Sequence, residues 1–319
     1  MAEIIQEQAM IGEQTAAGSN PSVVGDLRLH EFQSRIFGNT RMLRVWLPPG
    51  YDDPVNLLRY YPIFYLNDGQ NLFDRATAFT GVEWEVDETA DRLIREKVIP
   101  PMILVGIDNA QKDRPKEYLS CRSLNPPQLR PQGKRYPDFL IHEVMPFLYE
   151  RYRIGRGPEN TGLGGSSLGA VISLYTVMDR PGVFGRLLLE SPSLFISNRQ
   201  LLKQSLAVRQ WPERIFLAIG TRESGRAERD NEIVDDVGEL EHILRRAGLG
   251  EDRLLVKIDE GATHGEGDWA RRFPEALKFL FEAKKVWSPL YDRKVSMVDL
   301  QEPIASKSPA RDSSHGEPR

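Results

Sequence analysis

Three observations in the 319-residue sequence predict an α/β fold with a mainly parallel central sheet, antiparallel strands at its start and helices on both faces. Apolar runs of five or six residues recur and stop at turn-forming residues, as buried strands do. From Trp84 onward, segments with helical spacing stand between these runs, and strands alternating with helices pair in parallel under helical cover. The two earliest strand-like segments instead alternate with period two, the pattern of antiparallel strands with one wetter face.

Taken in order, Leu27–Phe32 and Met42–Leu47 are the early strands, the second stopped by Pro48-Pro49-Gly50. Tyr61–Leu66 is a continuous apolar run broken by Asn67-Asp68-Gly69. Trp84 to Val98 carries Val86, Ala90, Leu93 and Ile94 at helical spacing, and Met102–Ile107 is a second buried strand. Tyr118 to Pro137 is polar and proline-rich without clear periodicity. Phe139 to Tyr152 reads as a helix that Pro146 kinks, because proline lacks an N–H and crowds the preceding turn. Thr161–Gly164 is a short strand, followed by helical spacing at Leu168, Val171, Ile172, Leu174, Tyr175 and Met178 up to Pro181-Gly182. Strands at Arg186–Glu190, Ile215–Ile219 and Leu254–Ile258 and helices at Glu232–Ala247 and Trp269–Glu282 complete the alternation.

Composition narrows the function classes. A hydrophobic content of 40% with 28% charged residues suits a soluble globular protein. A net charge of −4 gives no electrostatic case for nucleic acid or an anionic membrane surface. No apolar run approaches the roughly 20 residues of a membrane-spanning helix. The lone cysteine, Cys121, excludes an internal disulfide and any metal site built on cysteines. Nothing resembles a catalytic metal site, and no cofactor is expected. The opening residues carry neither a basic leader nor an apolar core, which favours the cytoplasm. Residues 1–25 read as a flexible N-terminal segment, 26–290 as a single domain and 291–319 as a polar, disordered tail.

One stretch carries chemistry. Gly165-Ser166-Ser167-Leu168-Gly169 matches G-x-S-x-G, which sets a serine on a sharp strand-to-helix turn. The turn lifts the Ser167 hydroxyl clear of its strand and aims the Leu168 N–H at any oxygen the serine attacks. A serine needs a base to take its proton and an acid to orient that base. Past the second strand beyond Ser167 stands Gly220-Thr221-Arg222-Glu223, and past the next stands Thr263-His264-Gly265. The order Ser167, Glu223, His264, each in a loop at a strand's carboxyl end, is that of a nucleophile, an acid and a base. Asp230 is the alternative acid. Of the other histidines, His30 falls on a strand, His142 and His242 on helices and His315 in the tail, so His264 is the base. The second oxyanion donor is expected from the loop after the Tyr61–Leu66 strand, where Gly69 permits a tight turn and the Gln70 N–H is placed to donate.

These stretches, together with Arg44-Val45-Trp46-Leu47-Pro48-Pro49-Gly50-Tyr51, Tyr65 to Asp74, Arg114-Pro115-Lys116-Glu117-Tyr118 and Gly261 to Trp269, resemble the putative-esterase group of the α/β-hydrolase superfamily. That group includes enterochelin (catecholate siderophore) esterases, feruloyl and acetyl-xylan esterases of carbohydrate esterase family one, and S-formylglutathione hydrolases. The resemblance spans residues 27 to 283 and implies the α/β-hydrolase fold. It implies Ser167 as nucleophile, His264 as base and Glu223 as acid, with the Gln70 and Leu168 amides as oxyanion hole. Ala170 stands where many members have glycine, and Glu223 where many have aspartate. The implied reaction is two-step acyl transfer from a small-molecule ester, small, aromatic or carbohydrate, through an acyl-enzyme. Asp68, Phe73, Phe79, Trp84, Ser193, Leu194, Phe195 and Trp269 are the candidate substrate pocket. An acyltransferase of the same fold, or a catalytically silent binding module, is the alternative.

Overall fold

A computed structural model describes residues 22–122 and 129–282, which belong to one compact unit ending at Glu282. The expected tail at 291–319, the end of the expected domain at 283–290 and most of the expected N-terminal segment lie outside the described residues. Residues 22–25 are anchored, unlike the loose lead-in expected of them. The Val24 N–H donates to Asp87 at 2.6 Å, and its carbonyl accepts the Trp46 indole N–H at 2.7 Å.

Eight strands among the described residues form one sheet in the order β1-β2-β4-β3-β5-β6-β7-β8. They are β1 (Asp26–Ser34), β2 (Asn39–Leu47), β3 (Ile63–Asn67), β4 (Ile103–Ile107), β5 (Thr161–Ser166), β6 (Arg186–Glu190), β7 (Arg214–Arg222) and β8 (Leu254–Thr263). β1 pairs antiparallel with β2, and β2 antiparallel with β4; the other five pairings are parallel. The helices are α1 (Val86–Arg95), α2 (Arg114–Tyr118), a composite α3 (Tyr136–Phe139, Leu140–Val144 and Met145–Tyr149), α4 (Leu168–Asp179), α5 (Ile196–Ser205), α6 (Ala227–Arg246) and α7 (Glu266–Phe281).

The continuous apolar strands are buried on both faces, and period two sorts their side chains. Ile63, Tyr65, Leu163, Leu187 and Leu217 pack with Phe139 and Leu140 of α3, Ile172 of α4, Leu202 of α5 and Leu240 of α6. Phe64, Leu66, Leu104, Leu188 and Phe216 pack with Leu93 of α1 and with Phe273 and Leu277 of α7. Two apolar layers therefore sandwich the sheet, as predicted.

Where the elements depart from the sequence reading, the cause is local. α3 is not a kinked α-helix: Tyr136–Phe139 runs into a π-helical turn, Leu140–Val144, and α-geometry resumes at Met145–Tyr149. Pro146 then falls in the first turn of the resumed segment, where a missing N–H costs nothing. α6 starts five residues early because Ala227 to Asn231 is polar and shows no apolar stripe. Glu228 and Asp230 suit its positive N-terminus. β8 runs five residues past Ile258 through a polar stretch, with a register irregularity opposite Gly220 to Arg222. α2 and α5 carry no signal that the periodicity revealed.

Burial, with the Glu88 carboxyl beside it, pushes Asp87 up to about 8, against the pull of the Val24 N–H. A carboxylate raised on folding destabilises the fold as pH rises from its ordinary range near 4 to its folded value. Asp87→Asn should therefore match the wild type in melting temperature near pH 4, with a growing advantage up to about pH 8. Thermal unfolding by circular dichroism across that range checks this.

Candidate active site

β5, β6, β7 and β8 lie side by side, and the first residue past each carboxyl end is polar: Ser167, Ser191, Glu223 and His264. The register brings them together. Ser166 pairs with Glu190, so Ser167 and Ser191 leave the sheet as neighbours; Arg222 pairs with Thr263, so Glu223 and His264 do the same.

Ser167 sits at φ 55°, ψ −122°, a backbone state rare for a side-chain-bearing residue and costing on the order of 1–3 kcal/mol. Its N–H donates to the Glu190 carbonyl at 2.9 Å, and its carbonyl accepts from Val171 N at 3.1 Å to start α4. Gly165 and Gly169 meet across the turn, where a Cβ on Gly165 would lie 2.9 Å from the Gly169 carbonyl carbon. Leu168 is the first helical residue, so its N–H precedes the first intrahelical bond. The Ser167 hydroxyl pairs with Ser193 Oγ at 3.3 Å in this structure, and not with the imidazole.

His264 Nδ1 hydrogen-bonds Glu223 Oε2, which leaves Nε2 as the free ring nitrogen. The Glu223 side chain is 2% exposed and that of His264 26%, so the acid is enclosed and the base faces outward. The Trp269 ring stands edge-on to the imidazole, with centroids 5.2 Å apart. Glu223 Oε1 accepts from Ser191 Oγ at 2.8 Å and from the Gly220 N–H at 2.7 Å. Asp230, the alternative acid, instead accepts from the Ser224 N–H and hydroxyl at 2.6 and 2.7 Å.

The turn after β3 is held from both sides. Asp68, at φ 61°, receives Arg114 Nε and Nη2 at 2.6 and 2.8 Å and Asn109 Nδ2 at 2.7 Å. Asn71 donates to Glu266 at 3.2 Å and accepts the Phe79 N–H at 3.0 Å, while its carbonyl accepts the Trp84 N–H at 3.0 Å. Gln70 lies between these anchors, in a single turn over Gly69–Asn71. Burial raises Glu266 above the usual carboxylate range. Beneath Ser191, Arg272 grips Glu190 Oε2 at 3.0 and 2.8 Å; burial nonetheless pushes Glu190 up to about 7.

The structure separates the expected pocket residues into four sets. Phe73 and Trp84 are core side chains, packed with Phe273 and Leu104, and an enclosed ring does not line an open pocket. Leu194 is likewise buried, whereas Ser193 and Trp269 touch Ser167 and His264. Phe195 is half-buried under Arg229, and Phe79 is exposed on the loop beyond Asn71. Asp68 is bound to Arg114 and braces the turn. Sequence reasoning missed Ser191 and Arg272 and gave Arg114, part of a stretch that carries the resemblance, no role: each pairs with a residue distant in sequence, and no spacing rule reveals such a pair.

A strained serine on a strand-to-helix turn, at the carboxyl ends of a mostly parallel eight-stranded sheet, defines an α/β-hydrolase. The family model described as Putative esterase matches residues 34–280, and the chain belongs to that family, a carboxylic ester hydrolase. YbbA of Bacillus subtilis strain 168 is 25% identical over 253 residues, covering 76% of this chain and 93% of YbbA. The ferri-bacillibactin esterase BesA of the same organism is 23% identical, covering 59% of this chain and 69% of BesA. The enterobactin esterase FES of Shigella flexneri, solved with enterobactin present, superposes with a TM-score of 0.61 at 19% identity. That match covers 81% of this chain and 60% of FES, so the chain spans less than two thirds of that structure's length. Among the described residues no helix is long and apolar enough to cross a membrane, and no group of three or more His, Cys, Asp or Glu is placed to hold a metal ion.

A Cβ on Gly69 would sit 2.5 Å from the Gly106 carbonyl carbon and 2.8 Å from Ile107 N, so Gly69→Ala must displace the turn. Its kcat for a p-nitrophenyl ester should fall about 10²–10³-fold, as when one oxyanion donor is lost. Gly238→Ala on α6, which meets open space, should leave kcat unchanged.

Proposed function

We propose that the chain hydrolyses a catecholate ester of the siderophore type through an acyl-enzyme on Ser167, with His264 as base and Glu223 as the acid that orients it. The observation that carries this reading is the pairing of His264 Nδ1 with an enclosed Glu223, past the ends of β7 and β8 on the same sheet edge as the strained Ser167 turn. Nε2 of the same ring is thereby left to take a proton from the serine. Ser167 attacks the ester carbonyl while the imidazole accepts its proton, and the Gln70 and Leu168 amides receive the oxyanion. The imidazolium then returns the proton to the departing alcohol. Water, deprotonated by His264, repeats the attack on the acyl-enzyme and frees the acid and the serine. The buried carboxylate stabilises the imidazolium without itself becoming protonated.

The substrate class rests on the kinship with BesA and on the likeness to FES, whose names state a ferri-bacillibactin and an enterobactin activity. In an assay of p-nitrophenyl acetate and butyrate, methyl ferulate and a catecholate triester, the triester should give the highest kcat/KM. Ser167→Ala and His264→Ala should each lower kcat about 10⁴-fold or more. A fluorophosphonate should label Ser167 in the wild type. Turnover undiminished in Ser167→Ala would overturn the nucleophile, and a preference for the small esters would overturn the substrate class.

A further inference from the structure

Of the four polar residues that end β5 to β8, Ser191 has no part in the reaction as written, yet it touches more of the site than any single loop contact explains. We propose that Ser191 is a positioning residue: its hydroxyl proton is committed to Glu223 Oε1 and fixes the carboxylate against His264. This rests on the reading of Glu223 as the orienting acid.

A serine hydroxyl offers one proton and two lone pairs. Three side-chain atoms surround Ser191 Oγ: Trp269 Nε1 at 2.9 Å, Glu223 Oε1 at 2.8 Å and Arg272 Nη2 at 3.5 Å. The indole and the guanidinium can only donate, so their hydrogens face the oxygen's lone pairs. The carboxylate is the sole acceptor of the three, and the hydroxyl proton has one destination. Ser191 is 1% exposed, so bulk solvent does not reach the hydroxyl. Its backbone, at φ 43° and donating to the Ala218 carbonyl at 2.8 Å, holds the hydroxyl in that direction.

The consequence falls on Glu223. With Oε1 occupied by the Ser191 hydroxyl and the Gly220 N–H, only Oε2 is available to the imidazole, and the carboxylate plane is set. The surroundings make this donor matter. Glu190 sits behind Glu223 as a like charge, answered by Arg272, which also reaches Asp259 at 3.2 Å. Glu266 faces His264 from the start of α7, and Asp230 is held by Ser224. Remove the Ser191 proton and Glu223 becomes a stronger base. Its greater basicity favours the protonated imidazole and moves the acid limb of the rate profile to higher pH, while its freedom to turn costs the orientation on which kcat depends.

The test measures kcat and KM for p-nitrophenyl acetate from about pH 5 to about pH 9. Ser191→Ala and Ser191→Gly should lower kcat about 10–100-fold, as loss of an outer partner of a reacting group commonly does. KM should be little changed, and the acid limb of kcat/KM should shift upward. Ser191→Thr should restore kcat and the limb while melting lower, because a β-branched residue fits a positive φ poorly. Folded Ala and Gly variants with wild-type kcat and an unmoved limb would overturn the proposal. Glu223→Gln and His264→Ala run in parallel: if they too retain activity, it is the triad reading that fails; if they are inactive while the Ser191 variants are not, only Ser191's role fails. Should the variants not fold, serine-selective ¹³C labelling of the wild type reads the same point. A slowly exchanging Ser191 hydroxyl proton supports the proposal, and a freely exchanging one overturns it.

Discussion

The parallel pairing of β5 to β8, with its irregularity just before Arg222 and Thr263, is the constraint on which the site depends. Backbone hydrogen bonds that match Ser166 to Glu190 and Arg222 to Thr263 bring four chain reversals to a common edge. A slip of one residue in any pairing would turn every side chain of that strand to the opposite layer, moving Leu163 or Leu217 out of its apolar cluster. The two apolar layers therefore enforce the alignment of the polar residues. Packing energy, spread over the sheet, is converted into placement at its rim.

A second tier of buried polar contacts transmits that placement to the loops. Asn67, the last residue of β3, donates to the Gly169 carbonyl at 3.0 Å and to Ser173 Oγ at 2.8 Å, and it accepts from the Tyr136 hydroxyl. One amide thus ties β3, α3 and α4 at the height of Ser167. Asp68, next in sequence, is satisfied by Arg114 and Asn109. Such groups are costly to bury unless paired, and Asn67 and Asp68 both find their partners on other elements. Glu190 Oε1 and Asp87 Oδ1 are among the buried side-chain atoms without a hydrogen-bond partner, and both carboxyls are raised by burial.

What the sequence made legible was the order of parts. Strand runs such as Ile103–Ile107 and Arg186–Glu190 are apolar and short enough to announce themselves, and a loop following such a run can be searched for serine, carboxylate or histidine. Polar extensions were not legible. The end of β8 and the start of α6 look like loop because their stability comes from a neighbouring strand and from acidic first-turn residues rather than from an apolar stripe. Aromatic residues near the site were ambiguous for a related reason. Phe73, Trp84 and Trp269 are equally hydrophobic on paper, yet only Trp269 meets His264, because burial is set by layers that a single segment does not encode. Ser191 was hidden altogether, since a serine after a strand is ordinary until its three partners are known.

The backbone at Ser167 has a cost that evolution and engineering meet differently. At φ 55° and ψ −122° a residue without a side chain would be at ease, so glycine there would relieve conformational tension while deleting the nucleophile. The most comfortable amino acid for the fold is thus the one that silences it. Searches for heat-tolerant variants that score survival alone will drift toward inert protein at this position, and any such campaign must select for turnover as well.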